Sequence, residues 1–374
     1  MSGEVPEGWR EAKLGDHCRI EIGGTPLRDK PQFWSNEDMG HPWVSIADLK
    51  TASVASTKEF ISDLGVANSN VKLVPRGTVM MSFKLTIGRA AIAGRDLYTN
   101  EAIAAFFPDS GVDNEFLFYA LPHAAGGAET DQAIKGATLN KAKLRDLSVP
   151  LPPLDEQRRI AEVLRSVDEA IASANDVGRA GEIVFRRRRE ELIGEARRAS
   201  SEITVAAALR KNRGEKLLKL QTDRYADAGR YPIVDQGARF ICGFTDEESA
   251  VWPYDLPVIV FGDHTRILKF VDFPFVIGAD GTQCLNPIEG IQPRYFYYAL
   301  QSLDLQAEGY ARHFKLLKEK TVPVPTLHEQ TAIERELAAI EAAVAEAQQA
   351  RLKLAGLKAA LAEQLLSGRV RVPA

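Results

Sequence analysis

The chain has 374 residues, 45% hydrophobic and 26% charged, with 47 Lys and Arg against 51 Asp and Glu and a formal net charge of −4. That length accommodates two or three domains with sizeable cores. The balance excludes a protein held to nucleic acid by bulk positive charge, though not a reader with a local basic surface. Three scattered cysteines, Cys18, Cys242 and Cys284, form no CxxC, so neither a disulfide framework nor a cysteine zinc site is expected and a reducing cytoplasm fits. The start lacks a signal-peptide pattern and no apolar run reaches the roughly 18 residues of a membrane span, so no membrane partner is expected.

In chain order, residues 1–150 carry short β-rich runs punctuated by turn residues, such as HPWVSIADL (41–49), GTVMMSFKL (77–85) and AAIAG (90–94). A helical block EFLFYAL (115–121) follows, then a proline-rich joint, VPLPPLDEQRRIAEVL (149–164). Prolines bar helix before the joint's end, and Asp155 and Glu156 suit a helix N-terminus. A long helix is predicted over 155–198. Residues 200–322 repeat the plan, with PVIVFG (257–262), ILKFVDF (267–273) and RYFYYAL (294–300). The joint recurs as VPVPTLHEQTAIEREL (322–337), and a second long helix is predicted over 328–366. The chain is therefore two tandem copies of one plan. The boundaries drawn are 1–150 and 200–322 for two mostly β domains, and 151–199 and 323–374 for the long helices. The fold class is α+β.

The helices carry an apolar stripe at heptad spacing: Ile160, Leu164, Val167 and Ile171 in the first, Ile333, Leu337, Ile340 and Val344 in the second. After an irregularity near 348–351 the second stripe resumes at Leu354, Leu357 and Leu361. Helices of about 44 and 39 residues, roughly 66 and 58 Å long, exceed what domains of this size can cover, so the two are expected to pair as an antiparallel coiled coil. Gly178 and Gly181 are expected to loosen the first helix.

Catalytic signatures are missing from the sequence. There is no GK[ST] phosphate loop and no GxGxxG after a strand, and His328-Glu329 lacks the second histidine of HExxH. The six histidines show no metal-ligand spacing. No catalytic or metal residue is assigned.

A two-copy chain of β-rich domain, Pro-x-Leu-x-Glu-Gln joint and long helix resembles the DNA-specificity subunit of type I restriction-modification systems. The residues that carry the resemblance are Gly8-Trp9, Leu14-Gly15-Asp16, Gly23-Gly24-Thr25-Pro26, Trp43-Val44, Gly88, Leu147 to Gln157 with Ile160 and Leu164, Val322 to Gln330 with Ile333, and Leu365-Leu366-Ser367-Gly368. The second joint departs from the first, with Thr326 and His328 where the first has Pro153 and Asp155. The resemblance implies two target-recognition domains, each reading half of a split duplex DNA site, set apart by the paired helices. It implies no catalytic site and no cofactor in this chain. Its partners would be two methyltransferase subunits using S-adenosylmethionine and, in full complexes, restriction subunits driven by ATP and Mg. An alternative is a coiled-coil scaffold whose two domains bind protein.

Reading bases requires paired donors and acceptors on exposed loops. In the first domain Lys84, Arg89, Lys135, Thr138, Asn140 and Lys141 qualify. In the second the candidates are Gln236, Arg239, His264, Arg266, Arg312, His313 and Lys315. Four successive arginines, 186–189, spread around a helix axis and cannot form one face. With Glu190 and Glu191 following, they read as an ion-paired helix surface first, with a DNA contact or the binding of an acidic partner-subunit surface as alternatives.

Overall fold

The structure is a computed structural model and describes residues 6–126, 131–133, 136–210, 218–305 and 313–372, the side chains of 131–133 and 136–138 excepted. It divides into two compact units, Met1–Ala174 with Ala350–Ala374, and Asn175–Gln349.

In the first unit the strand Arg10–Lys13 pairs antiparallel with Ser148–Leu151, so the chain enters and leaves the β-rich part at one place. Between these lie two five-stranded sheets. One orders Cys18–Ile22, Ile103–Pro108, Val79–Ser82, Ala90–Ala93 and Ser53–Val54; the other is built around His41–Val44 and Leu97–Thr99, which run parallel. Val79–Ser82 is buried at every position because both of its faces are covered. The aromatic helix Asn114–Gly126 packs on this sheet, and its Phe116, Leu117 and Leu121 share one core with Ile160 and Leu164 of the first long helix (Leu154–Ala199) and with Leu365 and Leu366 of the second (Leu327–Leu366).

The second unit repeats this with less sheet. Glu202–Thr204 pairs antiparallel with Thr321–Pro323. Two three-stranded sheets follow, Leu268–Val271 with Val258–Gly262 and Thr282–Leu285, and Gly243–Thr245 with Tyr231–Val234 and Val276–Ile277. The aromatic helix here is Pro293–Gln301, and Tyr295, Phe296 and Tyr298 share a core with Ile193, Ile333 and Leu337.

The glutamine of each joint is fully buried and fully bonded. Gln157 Nε2 donates to the carbonyls of Gly111 (3.0 Å) and Pro152 (2.9 Å), and its Oε1 accepts from the Asp113 amide (2.7 Å). Gln330 repeats the set on Gly290 (2.9 Å), Pro325 (2.9 Å) and the Gln292 amide (2.8 Å). Both amide-donating residues stand at the start of an aromatic helix. One side chain thus ties joint, aromatic helix and long helix together in each copy. The tyrosines repeat too: Tyr119 donates to Asp168 (2.9 Å) and Tyr298 to Glu341 (3.0 Å), the acids occupying the same place on the two long helices.

The preceding glutamates differ. Glu156 is buried, accepts from Trp9 Nε1 (3.1 Å) and pairs with Arg371 (2.7 Å), pinning both ends of the described chain to the joint. Glu329 is solvent-facing and closes a capping box with Thr326.

Within each unit the long helices run antiparallel. In the first, Asp168 meets Lys358 at 2.6 Å while Ile160 and Leu164 share the core with Leu365. In the second, Glu182 meets Gln348 at 3.1 Å and Arg188 pairs with Glu336. Two expectations need correction. The seam of the second helix is not interrupted: Ile333, Leu337, Ile340, Val344, Ala347, Arg351, Leu354, Lys358, Leu361 and Leu365 step by four and three throughout, all partly or fully buried. Leu357 lies off it and is 49% exposed. Two seam places hold charged residues with long aliphatic stems, and Lys358 lies over Tyr119 with its ammonium on Asp168. On the first helix Gly178 and Gly181 are seam places themselves. A methyl at Gly181 would sit 2.6 Å from Val344 Cγ2, so the glycine permits close helix contact rather than loosening the helix.

Gly181→Ala should therefore destabilise the chain by about 1–3 kcal/mol through overpacking, although alanine is intrinsically the better helix former by about 1 kcal/mol. Adding Val344→Ala should recover most of the loss in urea unfolding; no recovery would contradict the contact. Gln157→Leu or Gln330→Leu strands two buried carbonyls and an amide, at about 1–3 kcal/mol per group, and should lower the unfolding midpoint more than any exposed Gln→Leu change, such as at Gln348.

Candidate nucleic-acid interface

The strand ends of each unit converge on one cluster of loops, held by the same backbone bonds. In the first unit Ser82 and Arg89 close a hairpin (2.9 Å), Phe83 donates to Ala102 (2.9 Å), and Leu139 donates to Phe83 (2.9 Å). In the second, Gly262 and Ile267 close the hairpin (2.9 Å), Asp263 donates to Gly281 (2.8 Å), and His313 donates to Asp263 (3.0 Å). The hairpins differ at one telling place. Gly88 has φ +84°, and the equivalent Arg266, whose amide bonds back across the turn in the same way, has φ +62°. A left-handed arginine is unusual and is held by its guanidinium on the Leu305 carbonyl (2.7 Å).

These loops gather most of the residues named from sequence. Lys84 and Arg89 stand on the first hairpin, beside Asn140 and the exposed Lys141. Asn140 caps the helix Lys141–Asp146 through the Lys143 amide (2.9 Å), which commits one acceptor of its side chain. Lys135 and Arg312 lie outside the described residues, as does the side chain of Thr138. In the second unit Arg239, His264, Arg266 and Lys315 are exposed.

Two candidates sit differently from expectation. Gln236 is used internally: its Nε2 donates to the Asp280 carbonyl (2.9 Å) and its Oε1 accepts from the His264 amide (3.2 Å), so it ties three loops together and commits one donor and one acceptor of its amide. His313 is 2% exposed, with Nδ1 on the Asp263 carbonyl (3.0 Å). It belongs to the packing beneath the loops, because Asp263 also caps its helix through the Phe314 amide (2.7 Å).

The sequence reading missed the feature that shapes the loop 235–242. Lys269 is buried, and its ammonium donates to the carbonyls of Asp235 (2.8 Å) and Arg239, with the Asp235 carboxylate at 3.9 Å. That carboxylate also accepts from Gly237 N (2.7 Å), Cys242 Sγ (2.8 Å) and Tyr225 (3.2 Å). Burial pulls the Lys269 pKa down, with Cys242 and Asp235 opposing. The loop is thus wrapped around a cation, and its tip carries Arg239 and the exposed Phe240 and Ile241. The signal was present in sequence: Lys269 shares the inward period of its strand with Val271.

Reactive chemistry is scarce here. Burial pushes the thiols of Cys18 and Cys284 up to about 12, so neither is a ready nucleophile. Among the described residues no His, Cys, Asp and Glu group could hold a metal ion, and no helix is long and apolar enough to cross a membrane.

A family model, the type I restriction modification DNA specificity domain, matches residues 6–177. The chain is 28% identical over 181 residues to the type I restriction enzyme MjaIX specificity subunit of Methanocaldococcus jannaschii, covering 45% of this chain and 40% of that protein. It is 26% identical over 198 residues to the EcoR124I/EcoR124II specificity subunit of Escherichia coli, covering 50% and 47%. The match over residues 6–177, together with these relatives, makes the chain similar to type I specificity subunits. Its matches span less than half the length of these two specificity subunits. In fold it is similar to the crystal structure of a type I restriction-modification S subunit from M. genitalium, with a TM-score of 0.64, 14% identity and coverage of 98% of this chain and 97% of that one.

Lys269→Met removes the cation around which loop 235–242 is folded. Amide exchange across 236–241 should accelerate at least tenfold while Val258–Gly262 keeps its protection. Equal protection of the loop in both proteins would contradict the assignment.

Proposed function

We propose that this chain is the non-catalytic subunit that gives a type I restriction-modification complex its DNA sequence specificity. Each unit supplies one recognition domain, residues 1–150 and 200–322, and each domain reads half of a split duplex site. The proline joints and long helices dock methyltransferase subunits, two in number, which bring S-adenosylmethionine; restriction subunits bring ATP and Mg. The chain contributes no cofactor of its own, and a cytoplasmic location follows from working on the cell's DNA.

The observation that carries this reading is the recurrence of one loop framework in both units, with different side chains on it. Where the first copy offers Lys84 and Lys141, the second offers Arg239, His264 and Lys315. A shared framework with unlike readers suits two half-sites of different sequence. Similarity to type I specificity subunits supplies the rest. Because each domain's ends pair with one another, as Glu202–Thr204 does with Thr321–Pro323, a domain can be exchanged without disturbing its joint.

Replacing residues 205–320 with the matching part of a type I specificity subunit should therefore change one half of the methylated site and leave the other half and the spacer as they were. A change in both halves would contradict the division of labour. Adding one heptad to each long helix in matched fashion should lengthen the unspecified spacer and preserve both half-sites; an unaltered spacer would show that the helices do not set it.

A further inference from the structure

The arginine run separates into paired and unpaired members. Arg187 lies 4.0 Å from Glu191, and Arg188 pairs with Glu191 (3.2 Å) and Glu336. Arg189 has no carboxylate partner among the described residues. Its Nη1 donates to Gln301 (3.2 Å), while its Nε is buried without any partner. Burial holds this guanidinium below its ordinary pKa, and a half-buried cation lacking a counter-ion is an unfavourable arrangement unless an anion completes it.

Arg189 lines an open groove with Thr265, Arg266, Gln301 and Asp304. The groove begins at the hairpin that carries His264 and so continues the loop cluster described above. The first unit has a groove at the equivalent hairpin, lined by Lys50, Arg89, Asp168 and Lys358. There Asp168 is already engaged by Lys358 (2.6 Å) and Tyr119 (2.9 Å), and Lys50 and Arg89 have no ion pair among the described residues. Each unit thus places, in a groove at the same hairpin, two cations that have no ion pair among the described residues. A guanidinium fork fits a tetrahedral oxyanion in particular.

We propose that each groove seats a backbone phosphate of the duplex, on Arg189 and Arg266 in the second unit and on Lys50 and Arg89 in the first. This rests on the DNA-reading function proposed above. Such contacts set the register of the domain on the duplex and carry no base preference. Arg189 and Arg266 are positioning residues whose loss weakens all sequences alike.

The test uses the complex assembled with its methyltransferase subunits, titrated with a duplex bearing the methylated split site and with a scrambled duplex over a series of salt concentrations. Arg189→Met removes the charge and keeps the stem. Arg266→Gly relaxes a left-handed residue to the glycine that stands there in the first copy, so it carries the test if Arg189→Met folds poorly. Each variant should flatten the slope of log affinity against log salt by about 0.9. Both duplexes should weaken by the same factor, and the methylated motif should stay unchanged. Slopes equal to the parent's, or a loss confined to the split-site duplex, would overturn the phosphate assignment. A parent complex with no preference for the split site would instead overturn the DNA-reading function, and this inference with it.

Discussion

A primary amide holds each copy of the plan together. Gln157 and Gln330 each use both N–H groups and the carbonyl oxygen, leaving nothing unsatisfied where burial makes an unpaired group expensive. Each fixes the proline joint against the loop that starts the aromatic helix. The aromatic helix in turn presents Tyr119 or Tyr298 to an acid two turns or more along the long helix. The sheet packs on the aromatic helix, and the loops stand at the ends of the sheet strands. The placing of the candidate DNA-facing loops relative to the long helices therefore depends on three hydrogen bonds per copy. Only a primary amide offers two donors and an acceptor on one planar group, and asparagine would be one methylene too short for this reach.

The seam shows how a helix pair tolerates departures from an apolar ideal. Glycines at 178 and 181 permit close approach to Ala347 and Val344. Lys358 takes an apolar place by laying its stem along Tyr119 and handing its charge to Asp168. Each is a local accommodation within an unbroken heptad register. That register matters for the proposed spacing role, because only whole-heptad changes keep the seam facing its partner.

Much of this was legible in the chain alone. The duplicated joint, the long helices with their antiparallel pairing within each unit, and the mixed α and β character all follow from repeats, prolines and periodicity. What escaped depended on contacts between residues distant in sequence. Leu357 reads as a seam residue because leucine is the commoner seam occupant, yet Lys358 holds the place. Gln236 and His313 have the chemistry of base readers, but backbone groups brought in from 28 to 50 residues away bond the Gln236 amide and His313 Nδ1, and burial hides the imidazole. Arg189 looks like Arg187 and Arg188 until the fold leaves it without an ion pair among the described residues. Pattern reports which residue types are present; only the fold decides which polar groups remain unspent.

In the function proposed for it, this chain alone chooses the site that its partners methylate. Methylation-sensitive sequencing of DNA from cells expressing the chain with its methyltransferase subunit, and with each omitted in turn, tests it most directly. Methylation is expected at a single split motif, present only when both are expressed. The same motif appearing without this chain, or none appearing beside a competent methyltransferase, would contradict it.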